Sequence, residues 1–232
     1  MLNRRSFCGC ALFAGLTASS AHAQTECAVF TPARQKEVSP DDAIARLMAG
    51  NARFIAGKSV NCNLMEQVKE TAHGQAPFAA VIGCIDSRVP PELVFDQRLG
   101  DIFVARVAAN FINTDILGSI EYATKVVGAR AIVVLGHNEC GGIKGAIDHV
   151  KLGNITAMLN NIRPAVEANK CTGECSSKNH DYVQKVAETN ARMAAENMIK
   201  RSPVIKELVD AKQVRIAAAM HDITTGKVTL LG

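Results

Sequence analysis

Ala131-Ile132-Val133-Val134-Leu135-Gly136 is a short, unbroken apolar run that ends at the polar stretch His137-Asn138-Glu139-Cys140. Such a run suits a strand covered on both faces. Phe78-Ala79-Ala80-Val81-Ile82-Gly83 has the same character, and Asp101-Ile102-Phe103-Val104-Ala105-Arg106-Val107 reads as another. The segment from about Thr114 to Val127, between the runs at Asp101–Val107 and Ala131–Gly136, has helical spacing. Strands that alternate with helices predict an α/β fold, a mainly parallel central β-sheet flanked by helices.

The rest of the chain fits around that sheet. Ser39-Pro40-Asp41-Asp42 is a helix start: a capping hydroxyl, a proline suited to the first turn, and two acids facing the positive helix end. Ile44, Leu47, Met48 and Phe54 then follow at helical spacing, and Leu64 to Thr71 is a looser helical patch. Together these predict an N-terminal helical arm. Beyond the third strand, helices are expected over Gly142–Val150, Ile155–Ala168, Asp181–Lys200 and Val204–Ala211. Val214–His221 and Lys227–Leu231, about the turn Thr224-Thr225-Gly226, predict a terminal hairpin or strand pair.

In parallel sheets ligands gather at the carboxyl ends of strands. Cys84 directly follows one apolar run and His137 directly follows another, so both emerge there. His137 and Cys140 are two residues apart, so one tight loop can supply both, and Gly141-Gly142 let the backbone curve before the next helix. Two thiolates and one imidazole suit a tetrahedral zinc ion by softness and geometry. Three protein ligands leave a fourth position, which separates a catalytic from a structural zinc. Asp86 and Arg88 lie two apart just past the strand, where a guanidinium fork can grip a carboxylate and keep it ionised.

These stretches resemble the β-class carbonic anhydrases, plant-type branch. The resemblance is carried by Gly74-Gln75-Ala76-Pro77, Cys84-Ile85-Asp86-Ser87-Arg88, Asp101-Ile102-Phe103-Val104-Ala105-Arg106 and Gly136-His137-Asn138-Glu139-Cys140-Gly141-Gly142-Ile143-Lys144-Gly145. It extends from about Ser39 to Leu231. It implies reversible hydration of CO₂ to bicarbonate and a proton by zinc-bound hydroxide, with one zinc per subunit. By the same resemblance Cys84, His137 and Cys140 ligate the metal. Asp86 either occupies the fourth position or leaves it to water while pairing with Arg88. Gln75, Phe103 and Tyr122 are implied as substrate-pocket residues reached across a subunit interface, with Gly141, Gly142 and Ala108 nearby. A homo-oligomer, dimer or tetramer, is therefore expected. Asn169–His180, with Cys171 and Cys175, has no counterpart in the family's core and receives no role. His73, His149, His180 and His221 have no partner at ligand spacing and read as surface or core residues.

Composition narrows the alternatives. The 232 residues are 48% hydrophobic and 21% charged, enough to bury a core and too ordered in pattern for a disordered chain. Asn3-Arg4-Arg5-Ser6-Phe7, an apolar segment to about Leu16 and Ala21-His22-Ala23 resemble a twin-arginine export signal with a cut before Gln24. A general secretory signal fits the same residues, and either places the mature chain, residues 24–232 as one domain, in the periplasm or outside the cell. Loss of Arg4 and Arg5 would reduce the net charge from +4 to +2, too little to imply nucleic acid or an anionic membrane as partner. No apolar run reaches the ~20 residues of a membrane span. Cys27, Cys62, Cys171 and Cys175 are left over from the metal set, an even number that allows three pairings in an oxidising compartment. Other readings of the chain are a zinc hydrolase acting on carbon disulfide and a non-catalytic zinc or bicarbonate sensor. Arg88 argues against the sensor, because it offers Asp86 a partner other than the metal. A thiol-disulfide oxidoreductase would need a C-x-x-C motif, which Cys171 and Cys175 do not form.

Overall fold

Residues 27–232 are described by the computed structural model; the export-signal reading of residues 1–23 lies outside them. Five strands, β1 (Ala79–Gly83), β2 (Ile102–Arg106), β3 (Ala131–His137), β4 (Arg215–His221) and β5 (Val228–Leu231), form one sheet in the order β2-β1-β3-β4-β5. All neighbours run parallel except β5, which pairs antiparallel with β4. The expected parallel core and terminal hairpin are both present.

Side chains alternate across the central strands. Ala79, Val81, Ala131, Val133 and Leu135 face a layer with Phe30, Ile44, Leu47, Phe78 and Phe95. Ala80, Ile82, Ile132 and Val134 face the opposite layer with Ile120, Ile143, Val186, Met198 and Ile205. Every residue of β1 and β3 is buried, which is why both read as continuous apolar runs. Burying each Val, Leu, Ile or Phe contributes roughly 1.5–3 kcal/mol. β2 differs from the strand covered on both faces that its sequence suggests. It is the sheet's edge, with β1 as its sheet neighbour, and its residues are half-buried or exposed.

The N-terminal arm is helical: α1 (Pro32–Glu37), α2 (Pro40–Ile55) and α3 (Leu64–Thr71). Ser39 Oγ accepts the Asp42 amide at 3.1 Å, the expected cap. A Cys27–Cys62 disulfide ties the start of the arm to the chain before α3, and a second bridge joins Cys171 to Cys175. Two short helices, α1 and α4 (Pro91–Val94), carry too few residues to show periodicity in sequence.

The helical stretch from Thr114 divides into α5 (Thr114–Glu121) and a wide π-turn over Tyr122–Val126. Beyond β3 come α6 (Gly141–Ile147), α7 (Gly153–Leu159), α8 (Arg163–Ala168), α9 (His180–Arg201) and α10 (Pro203–Asp210). The single helix expected over Ile155–Ala168 is thus two. Pro164 has no amide to give to a continuous helix and sits instead in the first turn of a new one. No described helix is long and apolar enough to cross a membrane.

Gly50 marks where α2 presses on the end of α4: a β-carbon there would lie 1.8 Å from the Phe95 carbonyl oxygen. Gly50→Ala gains helix propensity yet is expected to lower Tm by about 6 °C or more, since packing outweighs propensity. Thermal unfolding checks this, and an unchanged Tm would contradict it.

The β4–β5 turn is held by Asp222, whose carboxylate accepts the Thr224 amide at 2.7 Å and Asn138 Nδ2 at 3.3 Å. The Thr224 amide leads in holding this carboxyl below its ordinary range, against partial burial. Its stabilisation is therefore present above the unfolded value near ~4 and is lost as pH falls through the lower folded value. Asp222→Ala should lower Tm by about 2–4 °C at pH 7, a gap that closes in acid. A gap constant down to acid unfolding would refute the assignment.

Candidate metal centre

The site is assembled at the carboxyl ends of adjacent strands β1 and β3. Cys84 is the first residue past β1, His137 is the last of β3, and Cys140 precedes α6. All three are buried, and their ligand atoms lie within 4.8 Å of one another. The chain reverses between His137 and Cys140 through Glu139, whose φ of 56° is in the left-handed region. Gly142 then passes close to the turn after β2: a β-carbon there would meet the Ala109 β-carbon at 3.0 Å.

The donor set fits zinc on its own geometry. Cys84 Sγ and Cys140 Sγ are 3.9 Å apart and form no disulfide. Two sulfurs each ~2.3 Å from a tetrahedral zinc would stand ~3.8 Å apart. His137 Nδ1 lies 2.8 Å from the Asn138 carbonyl and donates to it, which leaves the lone pair on Nε2. Nε2 is buried and has no hydrogen-bond partner. The Cys140 thiol beside Cys84, helped by His137 and the amides of Asp86 and Ala109, lowers the Cys84 pKa despite burial. Cys84 beside it, and then burial, push the Cys140 thiol up. Two thiols thus share what only a cation can fully neutralise, and ligation requires thiolates.

Supporting contacts surround the ligands. Asp86 is gripped by Arg88 at both oxygens, Nε to Oδ1 at 2.9 Å and Nη2 to Oδ2 at 2.7 Å. That hydrogen bonding, foremost, holds the Asp86 carboxyl far below the usual carboxylate range. Asp86 Oδ2 stands 3.9 Å from His137 Nε2, so the carboxylate is beside the metal position while paired to Arg88. Of the two states read from sequence, this is the one with Asp86 on Arg88. The backbone amides of Gly142 and Ile143 face the Cys140 sulfur.

Several supports are not legible in sequence. Arg106 donates to the Cys84 carbonyl at 2.8 Å and the Asp86 carbonyl at 2.6 Å, and so fixes the turn that carries both side chains. The Ala109 amide donates to Cys84 Sγ at 3.2 Å. Ala109 and Asn110 both have positive φ, and buried Asn190 of α9 holds the Ala109 carbonyl at 2.7 Å. His221 pairs in register with His137 and is buried; burial first and His137 second lower its pKa. His180, read as a surface or core residue, is exposed and reaches Glu139.

Of the implied pocket residues, Gly141 and Gly142 directly follow Cys140 at the start of α6. Gln75 is exposed on the loop before β1. Phe103 and Tyr122 make an edge-to-face pair with centroids 6.1 Å apart, on β2 and at the end of α5. Among the described residues none of the three hydrogen-bonds a ligand side chain. Ala108 is half-buried, next to Ala109.

Comparison with known proteins agrees with this geometry. The carbonic anhydrase family pattern matches residues 79–228, the whole sheet to the start of β5. The chain is 34% identical over 199 residues to carbonic anhydrase 2 of Mycobacterium tuberculosis, covering 83% of this chain and 93% of that one. Among solved structures it is similar to the β-carbonic anhydrase CcaA, with a TM-score of 0.65, 25% identity, and 82% and 95% of the two chains covered. A tetrameric β-carbonic anhydrase of the ascomycete Sordaria macrospora gives a TM-score of 0.60 at 26% identity, with 72% and 90% covered. An α/β fold with a Cys-His-Cys centre at the strand ends is the kind of site that holds a catalytic zinc with a fourth position left open. This chain belongs to the β-carbonic anhydrase family. It is a zinc enzyme that hydrates CO₂ reversibly to bicarbonate and a proton, and Cys84, His137 and Cys140 are the residues to hold its ion.

Cys84→Ala, His137→Ala and Cys140→Ala should each reduce zinc from about one per chain to below about 0.1, because a structure with two protein ligands binds far more weakly. Elemental analysis of dialysed protein checks this. Full zinc in any of the three would exclude that residue from the set.

Proposed function

We propose that Asp86 and Arg88 control the fourth metal position of an exported carbonic anhydrase. The observation that carries this reading is the two-point grip of Arg88 on a carboxylate poised 3.9 Å from His137 Nε2. Held by Cys84, His137 and Cys140, a zinc ion would supply the acidity that brings a bound water towards a pKa of ~7 and makes it a nucleophile near neutral pH.

The chain's own residues do the rest. Arg88 keeps Asp86 ionised, so its oxygens accept hydrogen bonds and do not compete for a proton at working pH. Oδ2 would accept a hydrogen bond from a water beside the ligands, which would direct that water's lone pair at the carbon of CO₂. Asp86 released from Arg88 would instead reach the ligand cluster and close the position. Arg106 keeps the backbone of this segment still while the side chain exchanges partners. Phe103 and Tyr122 supply an apolar wall for CO₂ and Gln75 an amide for a bicarbonate oxygen, all three contributed across a subunit interface. The start of α6 at Gly141 and Gly142 lies alongside, where the absence of side chains leaves room for substrate.

A dimer or tetramer is part of the proposal. Its support is the half-buried edge strand β2, with exposed Tyr122 set edge-to-face on its Phe103, and the tetrameric relative. Export to an oxidising compartment is supported by the two disulfides, which persist there and are rare in the cytosol. Residues 24–232 would act as the mature unit.

Stopped-flow CO₂ hydration across pH, with zinc measured on the same sample, tests the reading. Asp86→Ala and Arg88→Ala should keep about one zinc per chain and lose about 10²-fold or more in kcat/KM. Full activity in either variant would discard the gate, and zinc-loaded wild type without turnover at any pH would favour a sensor.

A further inference from the structure

Glu139 lies between two metal-binding residues, and nothing in the chemistry above uses its side chain. Its carboxylate is nonetheless held at both oxygens. Lys144 Nζ meets Oε2, and His180 Nδ1 stands 2.6 Å from Oε1. The lysine belongs to the helix that the metal loop enters, so it moves with that loop. His180 does not: it is 41 residues away, the first residue of α9.

The segment that delivers His180 is itself built. Cys171–Cys175 closes it into a short loop. Asn179 Nδ2 donates to the Glu174 carbonyl inside that loop at 2.9 Å, and Asn179 Oδ1 caps α9 by accepting the Tyr182 amide at 3.0 Å. The Ser177 amide donates to Asp148 Oδ1 at 2.9 Å, which fastens the loop to the end of α6. This stretch, Asn169–His180, is the one to which the sequence reading assigns no role. Glu139 also has a backbone conformation that a β-carbon disfavours, so the metal loop needs outside contacts to hold its reversal.

We propose that the disulfide-closed segment 171–180 is a latch on the metal loop. His180 is its positioning residue, and through Glu139 it slows the opening by which His137 and Cys140 release their ion. The proposal rests on the Cys84–His137–Cys140 reading of the centre. A contact as exposed as this one adds little to global stability, so its effect falls on local opening of the loop.

The test is zinc release from the full zinc-loaded chain into an excess of a chromophoric chelator. His180→Ala should release zinc about three- to tenfold faster, less than for groups bonded directly to a ligand, with Tm within about 2 °C of wild type. His180→Asn, whose amide can donate from near the Nδ1 position, should restore the slow rate. The double variant Cys171→Ser/Cys175→Ser should also release faster, and adding His180→Ala to it should give little more, because both act through one contact. With Co²⁺ in place of zinc, all variants should keep the wild-type absorption bands, since the ligand set is intact. Release at the wild-type rate from His180→Ala, or equally fast release from His180→Asn and His180→Ala, overturns the latch. Wild type that binds no zinc overturns the centre itself, a separate failure.

Discussion

Two cysteine sulfurs 3.9 Å apart in the dry interior set the terms for this molecule. Two thiolates that close repel, and two thiols there would waste buried polar atoms. The opposite pKa shifts of Cys84 and Cys140 express that conflict, since one proton cannot serve both sulfurs equally. A divalent cation resolves it, and His137 offers a third, otherwise orphaned lone pair to the same point. The parallel pairing of β1 with β3 is what brings these residues together, 53 and 56 positions apart in the chain, at one end of one sheet.

Around that point the fold supplies rigidity in proportion to need. The strands beneath are buried on both faces and cannot shift without opening the core. The turn after β1 is held by Arg106, the turn after β2 by Asn190, and Asn138 links the metal loop to the β4–β5 turn through Ile223 and Asp222. Every loop that carries or touches a ligand is thus tied to a different element. Asp86 is the exception: it stands on an exposed guanidinium, a partner it can leave, and that is the freedom a gate requires.

The features legible in sequence are those encoded locally. β1 and β3 read plainly because burial on both faces demands unbroken apolar residues, and the H-x-x-C loop read plainly because two ligands share it. Ser39 announced α2 through its cap. The break before Pro164 was also written locally, yet helical spacing on both sides concealed it. Non-local facts were hidden. Asn190 reaches Ala109 across 81 residues, and the pairing of four spare cysteines depends on where folded segments meet. The exposure of β2 follows from strand order, which its own apolar residues do not reveal. His180 looked bland because its partner, Glu139, is distant in the chain and unremarkable until the reversal at the metal loop is seen.

X-ray absorption at the zinc edge on the purified protein measures the central claim most directly. The account predicts two sulfur neighbours at ~2.3 Å and two lighter ones at ~2.0–2.1 Å, one of them imidazole nitrogen. A shell of four sulfurs, or one of nitrogen and oxygen alone, would contradict it.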